Sequence, residues 1–299
     1  MEIVDPHHHL WDLELNRYPW LSEDMSDRGW GDLGPLKKSY RVANLLADAE
    51  AAGVTLLKSV HVQANYDPSD PVGETIWLEK TAANPASRGF PHGIVGFADL
   101  SAPDVDSVLA AHCAHDRIRG IRQVLNRHPD PRLNRAPKDF LTDPAWRRGL
   151  SRLADHELSF DVQVYHHQMA AVSDVVAENP DITFILDHAG MPAERDDENL
   201  AGWHEGIARL AAAPNMVVKL SGFGMVETDW TASSIRPFVL HCIESFGPER
   251  AMFASNFPVD RLMATYGRLW AAYDEIVSDF TTAERYALFR GTAERTYRI

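Results

Sequence analysis

The chain has 299 residues, of which 45% are hydrophobic and 24% are charged, and its formal net charge at pH 7 is −14. This composition is typical of a folded globular protein, and the negative charge argues against a protein that coats nucleic acid. No stretch approaches the roughly 20 apolar residues of a membrane-spanning helix. Residues 1–5, which include the acidic Glu2 and Asp5, are unlike a signal peptide. The two cysteines, Cys113 and Cys242, form no Cys-x-x-Cys motif, so we expect a cytoplasmic protein without membrane or nucleic-acid partners.

Eight short apolar segments bounded by turn residues are typical of β-strands. They lie at residues 2–6, 54–63, 93–98, 118–125, 159–166, 182–188, 216–221 and 251–255. Apolar residues recur at helical spacing between them, at residues 42–51, 74–83, 105–114, 146–154, 169–177, 200–212, 235–246 and 262–277. Because strand and helix alternate eight times and no G-x-G-x-x-G motif follows the first strand, the sequence predicts an α/β fold, a (β/α)8 TIM barrel. We expect a single domain covering residues 1–299.

The connection after the first predicted strand is unusually long. Residues 10–40 far exceed the roughly 2–6 residues of an ordinary loop between strand and helix. They are rich in Trp, Asp and Gly, with tryptophans at Trp11, Trp20 and Trp30. We predict an elaborated loop that can cover the mouth of the barrel, with its tryptophans packed inside it. The alternative is that the tryptophans form a platform for a carbohydrate.

The carboxyl ends of the strands carry the functional prediction, because TIM-barrel active sites lie there. The first strand runs into Asp5-Pro6-His7-His8-His9. Strand side chains alternate, so His7 and His9 point to one side, about 6.5 to 7 Å apart along the strand. This spacing suits a shared metal ion or substrate atom. The alternative is a histidine run that only makes hydrogen bonds.

Two further strands end in polar residues. The sixth predicted strand ends in Asp187-His188-Ala189-Gly190, so we expect His188 to face the first-strand pair. Asp187 is then expected to point to the opposite face and to support the site from behind. Asn256 occupies the end of the eighth predicted strand.

Several short motifs follow one another at these strand ends. They include Asp5-Pro6-His7-His8-His9-Leu10-Trp11, Arg119-Gly120-Ile121-Arg122, Leu186-Asp187-His188-Ala189-Gly190-Met191-Pro192, Lys219-Leu220-Ser221-Gly222 and Ser255-Asn256-Phe257-Pro258-Val259-Asp260. In this order and spacing the chain resembles the lactonase-like branch of the amidohydrolase superfamily, which includes sugar-lactone and pyrone-dicarboxylate lactonases. The resemblance implies a hydrolase on a (β/α)8 barrel.

The resemblance also implies a role for the three histidines. His7, His9 and His188 match residues that bind one divalent metal ion, with zinc as the expected metal. In metal-independent lactonases of the same branch they position the substrate carbonyl instead, so both possibilities stay open. For a binuclear site, the resemblance implies a lysine or histidine that bridges two metals at the end of the fourth or fifth strand. The fourth offers Arg122-Gln123 and the fifth offers Gln163, Tyr165, His166 and His167, so a binuclear site is not expected.

Asn256 departs from the pattern of the superfamily. Hydrolases of the superfamily usually place an aspartate there, which binds the metal and takes the proton of the attacking water. An amide is no general base at neutral pH, although its hydrogen bonds can orient a water molecule. We therefore predict His7, His9 and His188 as catalytic residues, with Asn256 orienting the water.

Four other strand-end residues are predicted to bind substrate. Arg122 has a planar cationic fork that suits carboxylate or lactone oxygens, and Gln63, Gln163 and Tyr165 are neutral partners for hydroxyl groups. They describe a pocket for a small anionic or polyhydroxylated molecule. In the alternative interpretation, Arg122 pairs with Asp99 and Tyr165 caps the core.

The leading functional hypothesis is a hydrolase that opens the ring of a sugar-acid or dicarboxylate lactone. A lactone is an activated ester, so a site without the usual aspartate can still open it. Asn256 favours the first alternative, a non-hydrolytic enzyme such as a lactone isomerase, decarboxylase or hydratase. The second alternative is a small-molecule-binding barrel without catalysis. Metal content and turnover separate these hypotheses.

Overall fold

Eight parallel strands form the centre of the molecule. The computed structural model describes residues 1–22 and 32–299. The strands are β1 Glu2–His8, β2 Thr55–Val62, β3 Gly93–Gly96, β4 Ile118–Val124, β5 Ser159–Gln163, β6 Phe184–Leu186, β7 Met216–Leu220 and β8 Ala251–Phe253. Each strand pairs with the next in chain order, and His9 N donates to Phe257 O at 2.7 Å beside β8. The predicted (β/α)8 barrel is confirmed.

Helices separate successive strands and cover the outside of the barrel. In the described part of the chain they are α1 Pro19–Ser22, α2 Val42–Ala51, α3 Gly73–Ala83, α4 Val105–Cys113, α5 Pro144–Ser151, α6 Met169–Glu178, α7 Asp197–Ala211, α8 Ala232–Phe246, α9 Tyr266–Ile276, α10 Thr282–Tyr286 and α11 Thr292–Tyr297. α7 begins earlier than predicted because the Asp196 side chain accepts from Asn199 N and caps it. Within residues 1–22 and 32–299, no helix combines the length and apolar character of a membrane span.

The barrel interior has an apolar lower layer. Valines and other apolar side chains from the strands meet there, and α11 closes this end with the buried Tyr297. The apolar residues of this layer are Val4, Val60, Val62, Val95, Ile185, Val217 and Met252. Polar side chains therefore gather in the upper half, where the strands end.

The long connection after β1 lies over that upper end. It contains α1, and a bridge between Trp11 and Tyr40 ties its two ends together. Trp11 and Trp20 pack with ring centroids 5.6 Å apart, and Trp20 Nε1 donates to Ala64 O at 2.7 Å. Trp11 thus packs inside the loop as predicted, and Trp20 packs against it but also reaches Ala64 beyond the loop. Trp30 lies among residues 23–31, outside the described part of the chain.

Candidate active site

β1 is held against β8 by a buried carboxylate. Asp5 accepts hydrogen bonds from Ser255 N at 3.0 Å, Ser255 Oγ at 2.6 Å and Tyr266 OH at 3.0 Å. Burial raises the pKa of Asp5 to about 6, although these donors oppose the shift. The strand also runs two residues further than predicted, through His8, with a register irregularity between Asp5 and His8. This anchoring sets the positions of the histidines that follow.

His7 is fully buried between β6 and β7. Its Nδ1 lies 3.2 Å from Asp187 Oδ1 and 3.2 Å from Lys219 Nζ, and its Nε2 has no hydrogen-bond partner among the described residues. Burial and then the charge of Lys219 hold the pKa of His7 well below its usual value. The ring is therefore neutral, and when Nδ1 donates to Asp187 the lone pair of Nε2 is free.

His188 lies beside His7, with ring centroids 4.6 Å apart. Its backbone is left-handed, with φ 56°, and its Nδ1 lies 2.9 Å from Ser221 Oγ. The backbone of Gly222 passes so close that a Cβ there would stand 2.6 Å from His188 Nδ1. Only glycine therefore fits against this imidazole. Burial lowers the pKa of His188 to about 3, so this ring is neutral too.

His9 and Asn256 meet on the opposite side of His7. His9 Nδ1 lies 2.7 Å from Val62 O and must donate to it, because a carbonyl oxygen only accepts. The neutral ring therefore carries its lone pair on Nε2, which lies 3.3 Å from Asn256 Oδ1. The His7 and His9 ring centroids are 5.1 Å apart, so all three predicted histidines converge at the carboxyl end of the barrel.

The residues that fit a metal ion differ from the predicted set. Ligand atoms of His7, Asp187 and His188 lie within 4.8 Å of one another, whereas His9 stands outside this group. His7 Nε2 and Asp187 Oδ2 are buried without a hydrogen-bond partner in the described chain, as free ligand atoms would be. Two imidazoles and a carboxylate are also ligands that zinc accepts. The group therefore fits one divalent ion, with Asp187 in the position predicted for His9.

The prediction that Asp187 points away from the site is wrong. β6 ends at Leu186, and a turn with left-handed His188 and Ala189 follows. Side-chain alternation therefore does not extend to these residues. Burial alone would raise the pKa of Asp187, but Lys219 and His7 outweigh it and hold that pKa well below its usual value.

Lys219 and Asp161 lie beneath the histidines, and a prediction based on strand ends does not include either residue. The Lys219 ammonium pairs with Asp161 Oδ2 and lies 3.2 Å from Asp187 Oδ1, and all three side chains are fully buried. Tyr297 OH donates to Asp161 at 2.9 Å. Burial raises the pKa of Asp161 to about 6, against the opposing charge of Lys219. The sequence signal for both residues is a charged side chain inside an apolar strand segment, at 159–166 for Asp161 and at 216–221 for Lys219.

Arg122 lines the cavity with a buried guanidinium. It donates to Gln163 Oε1 at 3.2 Å and to Gln63 O, and Asp187 Oδ2 is 3.8 Å away. Asp99 instead accepts from Gln123 Nε2 at 3.2 Å, so the alternative ion pair between Arg122 and Asp99 is absent. Burial lowers the pKa of Arg122, but a guanidinium remains charged. Arg122 is thus a cation that lines the cavity, with Asp187 at 3.8 Å as its carboxylate partner.

The cavity has a volume of about 330 Å³, which suits a small molecule. Its polar wall includes His9, Arg122, Arg135, Gln163, His188 and Asn256. Trp20 from the loop after β1 and Met191 and Met225 from other loops add apolar surface. Among the residues that the structure describes, two arginines and no Asp or Glu line it. The described wall is therefore cationic.

Two residues predicted to bind substrate lie behind this wall. Gln63 Oε1 accepts from Asn65 N at 2.7 Å, and the side chain does not line the cavity. Tyr165 OH donates to Leu133 O at 3.0 Å, also away from the cavity. β5 ends at Gln163, so Tyr165 lies beyond the strand end at which it was expected. Gln63 and Tyr165 are accordingly support residues in this geometry.

Comparison with known proteins gives a consistent result over the whole chain. The sequence model of a family described as Amidohydrolase matches residues 4–299. The protein y4mH of Sinorhizobium fredii is 43% identical, over 99% of this chain and 98% of y4mH. An L-fucono-1,5-lactonase of Burkholderia multivorans is 32% identical, over 99% of this chain and 96% of the lactonase. A crystal structure of a Burkholderia multivorans amidohydrolase with bound zinc is 29% identical, with a TM-score of 0.81 over all of both chains.

Proposed function

Because the chain belongs to the amidohydrolase family and to its lactonase-like branch, we propose that it hydrolyses the ring ester of a small, oxygen-rich lactone. One observation carries the proposal. His9 Nε2 and Asn256 Oδ1 are two acceptors side by side in the cavity wall, and the Arg122 guanidinium lies in the same wall. The two acceptors can orient the attacking water, and the cation can stabilise the negative charge that develops on the ester carbonyl oxygen.

His9 is the proposed general base. Burial, followed by the charge of Arg122, holds its pKa well below its usual value, so the ring is neutral and the lone pair of Nε2 is free to accept a hydrogen bond from the water. The attacking water donates to His9 Nε2 and to Asn256 Oδ1, which leaves a lone pair for the carbonyl carbon. Asn256 orients this water without taking its proton.

Arg122 and His9 carry the remaining steps of ring opening. The water oxygen bonds to the carbonyl carbon, and Arg122 stabilises the negative charge that develops on the carbonyl oxygen. The bond from this carbon to the ring oxygen breaks, and the proton held on His9 passes to that oxygen. The product is an open hydroxy acid, which ionises and releases a proton to solvent.

A metal at His7, Asp187 and His188 is part of the proposal. When bound, a divalent ion supplies a Lewis acid that polarises the lactone carbonyl. Zinc is the proposed metal, since the similar Burkholderia multivorans amidohydrolase contains it. Ser221 fixes His188 from behind, as partners of metal-binding histidines do.

A lactone screen with elemental analysis tests the function. Protein purified without added metal is analysed for zinc and other divalent ions, then assayed for acid release. The substrates are L-fucono-1,5-lactone, other neutral sugar lactones and lactones that carry a carboxylate. We expect turnover of at least one of them and about one metal ion per chain. Absence of acid release with every lactone would contradict the proposed function.

Replacing Arg122 with Lys tests its role in the cavity. The change keeps the charge but loses the planar fork, so we expect kcat/KM to fall about 10- to 100-fold with little change in thermal stability. Arg119→Lys is the matched control, because Arg119 lies on the same strand and donates to the backbone oxygens of Asp116 and Ile118. Equal losses of activity and stability in Arg122→Lys would indicate a structural role.

Two broader features belong to the same proposal. We propose that residues 1–299 act as one domain, which the single barrel from β1 to β8 supports. A cytoplasmic location is also proposed, and the free cysteines Cys113 and Cys242 support it.

A further inference from the structure

Asp260 is a buried carboxylate with few partners. It lies in the turn Val259–Leu262 after β8 and is 1% exposed. Its Oδ1 accepts from Asn256 Nδ2 at 2.8 Å, and its Oδ2 has no hydrogen-bond partner among the described residues. By contrast, Asp5 has four donor groups and Asp187 has the Lys219 cation. Burying a carboxylate with one donor costs free energy, which indicates that its contact with Asn256 has a functional role.

The Asn256 amide stands between Asp260 and the cavity. An amide has a donor side, Nδ2, and an acceptor side, Oδ1. An ionised carboxylate only accepts, so ionised Asp260 holds Nδ2 and turns Oδ1 towards His9 and the cavity. A protonated Asp260 can instead donate to Oδ1, and the amide then turns Nδ2 towards His9. The proton on Asp260 therefore decides which side faces the cavity.

The hydrogen bonds of His9 distinguish the two orientations. With Nδ1 donating to Val62 O, the neutral ring presents an acceptor at Nε2. When Asp260 is protonated, it donates to Asn256 Oδ1, and Asn256 Nδ2 donates to His9 Nε2. His9 Nδ1 donates to Val62 O, so each of these donors has an acceptor. When Asp260 is ionised, His9 Nε2 and Asn256 Oδ1 are two neighbouring acceptors, and a water that donates to both fits them.

We propose that Asp260 is a positioning residue that turns the Asn256 amide between an acceptor state, which holds the hydrolytic water, and a donor state, which does not. The catalytic consequence rests on the proposed function, whereas the reorientation of the amide does not. Asp260 thus acts through Asn256 and does not touch the substrate. It supplies, from four residues further along the chain, the carboxylate that position 256 lacks.

The surroundings of Asp260 allow both states near neutral pH. Burial raises the pKa of Asp260 to about 7, against the hydrogen bond from Asn256. Burial, and then the charge of Asp260, raise the pKa of Tyr273 in α9, so its hydroxyl stays protonated and neutral beside Asp260. Arg261, the next residue, pairs with Asp48 outside the core. A carboxyl with a raised pKa loses its proton as pH rises, so the acceptor state forms above about pH 7.

The side-chain amide of Asn256 reports its orientation directly. In protein labelled with ¹⁵N-asparagine, its NH₂ resonances are assigned by their absence from Asn256→Ala. We expect these resonances to titrate with a midpoint about pH 7 in the wild type, and not in Asp260→Asn. Asp48→Asn is the matched control and should keep the wild-type titration. Resonances that do not move between about pH 5.5 and 9, or move equally in Asp260→Asn, would overturn the proposal.

Kinetics form the second arm of the test. For a lactone that the wild type opens, we expect the wild-type kcat/KM to rise about tenfold per pH unit below the midpoint. In Asp260→Asn this rise in kcat/KM with pH should be absent. An unchanged pH profile in Asp260→Asn would overturn the catalytic role while leaving lactone hydrolysis intact. If no lactone is opened but the Asn256 amide titrates with Asp260, the reorientation is supported and the proposed function fails.

Discussion

Replacing His9 with Gln is expected to lower kcat/KM for lactone opening about 10³-fold, the usual contribution of a general base. Glutamine retains a polar group in the cavity wall but cannot take the proton of the attacking water. The loss should fall on kcat, because Arg122 and Gln163 remain to bind the substrate. Steady-state acid release, together with a thermal unfolding curve, measures both effects.

His8 provides the control for this prediction. It is the preceding residue in the chain and is also buried, but its Nε2 hydrogen-bonds to Ser59 Oγ at 2.8 Å. His8→Gln should therefore retain wild-type kcat/KM per folded molecule, even if it lowers stability. A loss below about tenfold in His9→Gln would remove His9 from the role of base.

Replacing Lys219 with Met is expected to lower the free energy of unfolding by about 3–5 kcal/mol. Methionine preserves much of the volume but leaves the carboxylates of Asp161 and Asp187 buried without their cation. At roughly 2–4 °C per kcal/mol, the melting temperature should fall by about 10 °C. Denaturant and thermal unfolding measure the change.

A second substitution separates lost charge from lost packing. In Lys219→Met combined with Asp161→Asn, one of the unpaired charges is gone, so part of the stability should return. Lys58→Met is the control, because Lys58 lies on β2 with its side chain 33% exposed and pairs with Glu294. That change should cost less than about 1 kcal/mol. A similar loss in Lys58→Met and Lys219→Met would contradict the role of the buried cation.

The sequence predicts the barrel well because its physical signal is repeated. Each apolar segment alternates with a helical one, and small errors at their ends leave the order of strands unchanged. The convergence of His7, His9 and His188 follows from the same regularity, since parallel strands end on one face. These features require only the average geometry of strands.

The detailed roles depend on where each strand actually ends. Alternation predicts that Asp187 points away from the site, but β6 stops at Leu186. Tyr165 is predicted at a strand end, but β5 stops at Gln163. A left-handed residue such as His188 carries no local signal in one sequence, because any φ above zero there is imposed by its surroundings. Lys219 and Asp161 are charged residues inside apolar strand segments, and they lie before the strand ends on which the site prediction depends.

The cationic wall of the cavity has a consequence for salt dependence. The protein as a whole carries a net charge of −14, so an anionic lactone is repelled at long range and, within the described cavity wall, attracted near Arg122 and Arg135. At physiological ionic strength the Debye length is about 8 Å, so added salt screens the distant repulsion more than the close attraction. Salt should therefore accelerate the capture of an anionic substrate and leave that of a neutral one unaffected. For either substrate, ring opening creates a carboxylate. Once this carboxylate leaves the arginines, the net negative charge of the protein repels it, which favours product release over rebinding.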